Sequence, residues 1–363
     1  MAPPDVPDFS ERITRIRSEL SDYGVQAVLF LDMKNIRYLT GFTGSDGALL
    51  LGRDNLVLLV DGRYTNQARK EAAGVDVFEY REKVEGIEAH LADRNLKTIG
   101  FESTAMTVYT YLKLKDRMGH AAFSPLSDNI AMIRAIKDDG EIDRMRRASE
   151  ISFRALTDLR ELIKPGVMEK DLALELEFRM GRYGADQVAF PVIVASGANA
   201  ALPHAKPASR RLERGDVVMI DCGAVYEGYH SDETWTVVMG SGNDRQKEVY
   251  AVVKEAHDRA LEAVRPGVPC RDVDRAARSC IEGKDLGTYF SHGTGHGVGL
   301  DVHEAPRIAA TSDHILEAGM VVTIEPGVYI PNLWGMRIED MVLVTENGRE
   351  VLTRMPKDFT ELH

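Results

Sequence analysis

Apolar positions along the chain fall into two kinds of run. Residues near 10–24 carry them at helical spacing beside a charged face, the pattern of a helix laid on a core. Gln26-Ala-Val-Leu-Phe-Leu is instead a short continuous run, as a buried strand requires. Ala48-Leu-Leu-Leu and Asn55-Leu-Val-Leu-Leu-Val follow, joined by the Gly52-Arg-Asp turn, and read as a hairpin. A helix is expected from Asp61-Gly-Arg-Tyr-Thr up to Gly74, and the alternation continues through Thr98-Ile-Gly-Phe-Glu and Tyr109–Met118. This predicts an α/β unit with a mixed sheet over residues 1–130.

Around Asp128–Lys137 the pattern changes, and a boundary is expected near 125–135. Asp138-Asp-Gly-Glu opens a long helical stretch with acids in its first turn and Arg144, Arg146 and Arg147 further along, an order that suits the helix dipole. A second helix is expected from Glu169 to about Tyr183, and others near 244–264 and 271–283, among antiparallel strand signals. Residues 131–363 therefore read as an α+β unit.

One pattern occurs twice. Leu212-Glu-Arg-Gly-Asp-Val-Val-Met-Ile-Asp-Cys-Gly223 returns as Leu316-Glu-Ala-Gly-Met-Val-Val-Thr-Ile-Glu-Pro-Gly327. Each copy runs a Val/Ile-rich strand into an acid, Asp221 or Glu325, and a second acid follows at short range, Asp232 or Glu339. Clustered anions repel unless a cation sits between them, so the duplication points to a two-fold metal site. If Asp232 begins a return strand, Asp232, Thr234 and Thr236 share a face; so do Arg337 and Glu339, where the arginine could steady a ligand carboxylate. Alternation sends Cys222 to the opposite face, as buried filler.

Three of the ten histidines lie in Ser291-His-Gly-Thr-Gly-His-Gly-Val-Gly-Leu-Asp-Val-His303-Glu. A lone histidine is usually structural, but this run is glycine-rich, so its backbone can come close to a bound group. His204, just ahead of the first acid strand, is a further candidate. His230 falls in a Gly/Tyr turn and is left aside.

Composition narrows the partners. A net charge of −12 and a pI near 5.4 argue against nucleic acid or an anionic membrane, which call for clustered Lys and Arg. The N-terminus lacks the basic and apolar regions of a signal peptide, and no apolar run reaches the roughly 18 residues that span a bilayer. Cys222, Cys270 and Cys280 are too scattered for a disulfide framework or zinc ribbon. A reducing compartment, the cytoplasm, is expected.

The spacing of Asp221, Asp232, His296, Glu325 and Glu339 resembles that of the pita-bread metallopeptidases of family M24, the group of methionine aminopeptidase, aminopeptidase P and prolidase. His204 and the Gly-His-Gly-Val-Gly-Leu-Asp-Val-His-Glu run look like its Xaa-Pro branch. Asn35-Ile-Arg-Tyr-Leu-Thr-Gly-Phe-Thr-Gly and Asp61-Gly-Arg-Tyr are similar to the creatinase-like accessory domain of short bacterial Xaa-Pro peptidases.

The resemblance implies a pseudo-two-fold pita-bread catalytic domain over 131–363 behind an accessory domain over 1–130. It implies two divalent ions, Mn²⁺ before Co²⁺, Fe²⁺ or Zn²⁺ for so oxygen-rich a donor set. Asp232 and Glu339 would bridge them, Asp221 would complete one shell, and His296 and Glu325 the other. A hydroxide shared by the ions would attack the carbonyl before proline, with Glu325 shuttling the proton and His303 and His204 serving the oxyanion and the leaving nitrogen. His292 and Phe190 resemble residues that shape the proline pocket, Arg307 stands where some prolidases carry an arginine for the substrate carboxylate, and Arg337 borders the same site. Aminopeptidase P, on longer peptides, and prolidase, on dipeptides, both fit, and relatives of this kind are often homodimers. The alternatives on this fold are a creatinase-like C–N hydrolase and a non-catalytic binding protein; the retained ligands weigh against both.

Overall fold

Strand β1 (Ala27–Phe30) is apolar and buried at every position, which places it in the interior of a sheet. In the computed structural model, which describes residues 9–126 and 128–363, it pairs antiparallel with β2 (Ala48–Gly52), as does β2 with β3 (Leu56–Asp61). The expected hairpin is this β2–β3 pair, closed at Leu51↔Leu56. With β4 (Asp76–Tyr80), β5 (Thr98–Glu102) and β6 (Ala122–Leu126) these form one mixed sheet in the order β4-β3-β2-β1-β5-β6. The outer pairs β3–β4, β1–β5 and β5–β6 are parallel.

The helices of this part are α1 (Ser10–Glu19), α2 (Met33–Thr40), α3 (Thr65–Glu71), α4 (Lys83–Asp93), α5 (Val108–Arg117) and α6 (Asp128–Ala131). Ile87 and Leu91 of α4 and Leu114 of α5 pack with Leu29, Leu50, Leu59 and Ile99 of the sheet. Helix α2 lies outside the expected elements, although Ile36 and Leu39 stand at helical spacing and are buried. The Asp32 side chain accepts from Lys34 N and caps its start, and Gly41, at φ 74°, ends it in the left-handed region that glycine tolerates.

The chain divides into two compact units, Met1–Ile133 and Arg134–His363. The second opens with α7 (Asp139–Leu159), fixed by a capping box between Asp138 and Glu141. Three further helices are α8 (Glu169–Arg182), α9 (Asp244–Ala263), with its own capping box from Asn243 and Gln246, and α10 (Cys270–Glu282).

Its strands lie in two halves. The first half holds β7 (Gln187–Val188), β8 (Ile193–Ser196), β9 (Val217–Cys222), β10 (Ala224–Tyr226), β11 (Tyr229–His230) and β12 (Glu233–Met239). The second holds β13 (Gly295–Gly297), β14 (Glu304–Ile308), β15 (Val321–Ile324), β16 (Gly327–Ile330), β17 (Trp334–Arg337), β18 (Asp340–Thr345) and β19 (Gly348–Val351). A last strand, β20 (Glu361–Leu362), returns to the first half, beside β12. The larger sheets run β20-β12-β9-β8 and β14-β13-β15-β18-β19.

The sequence repeat is thus a structural one. Each copy supplies the first strand of an antiparallel pair, β9 with β12 and β15 with β18. Ile220, Cys222 and Trp235 of the first pair sink into one apolar cluster with Leu156 of α7 and Leu176 of α8, so Cys222 is buried core, as its alternation predicts. No described helix is long and apolar enough to cross a membrane.

Candidate metal centre

The acids sit where paired strands run out. Asp221 lies opposite Thr234 near the end of β9, and the chain comes back through Asp232, one residue before β12. Ile324 pairs with Asp340, which leaves Glu325 and Glu339 just beyond the last rung of β15–β18. Asp232, Glu325 and Glu339 thus stand just past paired backbone, whereas Asp221 is still inside the ladder, opposite Thr234 on one side and Ile193 on the other.

Glycines let the strands close in around them. A Cβ on Gly223 would lie 1.8 Å from the Ser231 carbonyl oxygen, and one on Gly295 would lie 1.9 Å from that of Thr323. Neither position can hold a side chain. The second approach carries His296 in beside β15. Its backbone N–H donates to Thr323 Oγ1 (3.1 Å), and its Nδ1 lies 3.1 Å from the Gly297 carbonyl oxygen. A carbonyl only accepts, so Nδ1 carries a proton and Nε2 faces the acids, where it donates to Glu325 when the ring is protonated and would offer its lone pair to a bound cation.

Ligand atoms of Asp232, His296 and Glu339 lie within 4.8 Å of one another. His296 Nε2 is also 3.3 Å from Glu325 Oε1 and 3.7 Å from Asp232 Oδ2. Asp221 is held from the side by Arg337, whose Nη2 donates to Asp221 Oδ2. The other nitrogens of Arg337 donate to Thr234 Oγ1 (2.9 Å), Tyr329 Oη (2.7 Å) and the Pro203 carbonyl (3.2 Å). Thr234 passes the link on, donating to Glu339 Oε2 at 2.6 Å, while Thr236 donates to the Arg337 carbonyl at 2.7 Å.

Charge is badly balanced in this pocket. Burial, and after it the neighbouring Glu339, push Asp232 well above the ordinary carboxylate range. Glu339 is pushed well up likewise by burial and Glu325, and Asp221 is raised by burial despite Arg337. Against the cost of its own burial, Glu325 is drawn down to about 2 by His296, and His296 is raised in return although burial opposes it. Asp221 Oδ1 is buried and has no hydrogen-bond partner among the described residues, a condition that usually costs ~1–3 kcal/mol or more. Hard oxygen donors in excess, one imidazole lone pair and an orphaned carboxylate oxygen fit divalent cations.

Around this cluster the other candidates take distinct places. His303 is exposed, its ring centroid 4.4 Å from that of His296, and burial of the ring and then His296 hold its pKa below the ordinary imidazole value. His204 is exposed and within electrostatic reach of Asp221, His292 and His303. His292 is half-buried, with Nε2 3.0 Å from Tyr329 Oη. Arg307 is exposed on β14, directly across the strand pair from His296. Phe190 is half-buried in the link between β7 and β8, next to Ala189, which packs against Gly223.

Two expectations change. Arg337 shares a segment with Glu339 but holds Asp221, because its side chain reaches across to the other half of the repeat; Glu339 is steadied by Thr234 instead. Only 3 % exposed and bonded on every nitrogen, Arg337 supports a ligand and offers no surface to a substrate. Tyr329, which joins His292 to Arg337, escapes a sequence reading, since no spacing marks it out.

Comparison with known proteins agrees with this geometry. The profile of metallopeptidase family M24 matches residues 143–346, and that of the creatinase/prolidase N-terminal domain matches residues 12–136. An Xaa-Pro dipeptidase of Pyrococcus horikoshii is 36% identical over 97% of this chain and 99% of its own. Among solved structures, an Xaa-Pro dipeptidase from Bacillus anthracis superposes with a TM-score of 0.95 at 38% identity, covering 98% of this chain and 100% of that one. An X-Pro aminopeptidase from Thermotoga maritima does so with a TM-score of 0.88 at 37% identity, covering 96% and 99%. Acid-terminated strand pairs from two sheets, with a histidine between them, thus stand in a chain that belongs to metallopeptidase family M24 and is a peptidase.

Proposed function

We propose that this peptidase cleaves the bond between an amino acid and proline, with Xaa-Pro dipeptides as its preferred substrates. The observation that carries the dipeptide preference is Arg307. Directly opposed residues of an antiparallel pair point to the same face, so the guanidinium leaves the sheet on the side of His296. It is exposed and unpaired among the described residues. A dipeptide brings a carboxylate to just that side of the scissile bond; in a longer peptide the same position is a neutral amide. Both names, dipeptidase and aminopeptidase, occur among the relatives.

Asp221, Asp232, His296, Glu325 and Glu339 would hold two divalent ions, with Mn²⁺ the best match to this donor set and Co²⁺, Fe²⁺ or Zn²⁺ the next. When bound, the ions would polarise the scissile carbonyl and lower the pKa of the attacking water. The protein's own groups handle the protons. Glu325 stays ionised at neutral pH and is the base that accepts the water proton. Oxygen adds to the carbonyl carbon, the C–N bond breaks, and the proton moves to the ring nitrogen, which leaves as a secondary amine. That nitrogen carries no hydrogen in the substrate, so the delivered proton is essential. His303 is neutral near pH 7 and donates an N–H to the developing oxyanion, with His204 beside the leaving group. His292 and Phe190 wall the proline ring.

By the same reading the chain works in the cytoplasm, away from nucleic acid and membranes, which a net charge of −12 and three free, buried cysteines support; the homodimer rests on the family resemblance alone. The test is hydrolysis of Ala-Pro beside Ala-Pro-Ala, with Mn²⁺ supplied and EDTA as control. Preferential cleavage of the dipeptide is expected. Equal or faster turnover of the tripeptide makes the protein an aminopeptidase, and cleavage of neither, with metal present, removes the proline assignment.

A further inference from the structure

Asp232 and Glu339 each stand one residue before a strand, β12 and β18, whose first residues are Glu233 and Asp340. The two strands belong to different sheets. No backbone ladder therefore sets the distance between these carboxylates. Successive residues of an extended chain point to opposite sides, so Glu233 and Asp340 lie behind the centre. A single ammonium joins them there. Lys357 Nζ lies 2.8 Å from Glu233 Oε1 and 3.2 Å from Asp340 Oδ1, and its side chain is 9% exposed.

Each end of this clamp is itself fixed. Glu233 also accepts from Met355 N at 2.9 Å. Asp340 accepts from Thr353 Oγ1 and has His257 Nε2 at 3.1 Å. The segment bearing Lys357 is tied to α9 by Tyr250, whose Oη donates to the carbonyls of Lys357 and Asp358 at 3.2 Å. The ammonium is thus held between two anchored acids on an anchored segment, and the acids can shift only by breaking buried charge-assisted bonds.

We propose that Lys357 is a positioning residue of the metal centre: by tying Glu233 to Asp340 it sets the separation of Asp232 and Glu339, and with it the affinity for the ions. The inference rests on the reading that these carboxylates are metal ligands. It assigns Lys357 more than neutralisation of two buried acids. Outer partners of metal ligands usually alter affinity by about 10–100-fold, and a loss of that size is expected here.

The experiment titrates the metal-free full-length protein with Mn²⁺ by calorimetry, for the natural chain, Lys357→Met and the double variant Glu233→Gln/Lys357→Met. The double variant removes the pair without leaving Glu233 uncompensated, so it remains a test if the single variant does not fold. Both should bind Mn²⁺ about tenfold or more weakly, and the Mn²⁺ concentration for half-maximal dipeptide cleavage should rise while kcat at saturating metal largely returns. Affinity within twofold of the natural chain in the folded double variant overturns the proposal and leaves Lys357 a structural counter-ion. A natural chain that takes up no Mn²⁺ overturns the metal reading itself, and the proposal falls with it.

Discussion

Arg337 donates to one carboxylate oxygen of Asp221 and leaves the other buried without a partner among the described residues. The pair joins the two halves of the repeat, because Asp221 lies on one duplicated strand, β9, and Arg337 on β17, in the half that follows the other. Removing one member of such a pair typically costs about 3–5 kcal/mol. Arg337→Met keeps most of the stem and deletes the charge. Urea unfolding of the metal-free variant should show a loss of that order, with added Mn²⁺ restoring part of it. An unchanged midpoint would mean that Asp221 is neutral in the metal-free protein.

Metal uptake should release protons. Asp232 and Glu339 are raised by burial and by neighbouring acids, so the metal-free protein retains protons that cations displace. Calorimetric titration with Mn²⁺ in two buffers of different ionisation enthalpy reads this directly, and equal apparent enthalpies would rule it out. The pH dependence follows in sign. A carboxyl group whose pKa rises on folding adds stability that is whole below its unfolded value and is lost as pH climbs through the folded one. The melting temperature of the EDTA-treated protein should therefore fall as pH rises from about 5 to 8, while that of the Mn²⁺-loaded protein should stay flatter.

Glu304 predicts the opposite slope. It is held below the ordinary carboxylate range because Lys137 and Arg134 outweigh the cost of its burial, with Lys137 Nζ at 3.2 Å and Arg134 Nη2 at 3.0 Å. A lowered folded pKa gives stability that is present above the unfolded value and lost as pH falls through the folded one. Glu304→Gln should cost about 3–5 kcal/mol at neutral pH and flatten the loss of stability in acid. Parallel acid profiles for the variant and the natural chain would assign that loss to other groups.

Arg307→Ala separates substrates by length. Hydrogen bonds to charged groups contribute about 1.5–3 kcal/mol, so KM for Ala-Pro should rise on the order of tenfold or more. KM for Ala-Pro-Ala should change far less, since its proline carbonyl carries no charge. Equal effects on both would show that Arg307 serves the fold of β14 and not the carboxylate.

The metal-ligand candidates were readable because the duplication brought them forward twice. A repeated strand motif ending in an acid exposes its own chemistry, and the glycine-flanked His296 supplied the odd donor. The α/β alternation of the first part was equally open, since apolar runs such as Leu56–Val60 have one reading in a sheet. What stayed hidden depends on pairing at a distance. Arg337 lies two residues from Glu339, yet it serves Asp221, more than a hundred positions away. Lys357 and His257 meet Asp340 from a coil and a helix, and neither carries a spacing that betrays the contact. Helix α2 is missed for another reason: it is only eight residues long, too short for its apolar Ile36 and Leu39 to mark a helix alone.

The glycines packed against the centre have a consequence at the level of the gene. At Gly223, Gly295, Gly297 and Gly335 a methyl group would lie within 2.3 Å of a backbone carbonyl oxygen, so even alanine is refused. Any change in the first or second base of a glycine codon replaces the residue. Selection at these codons acts on bulk and not on charge. A deep mutational scan should find them as intolerant as the candidate metal-ligand positions.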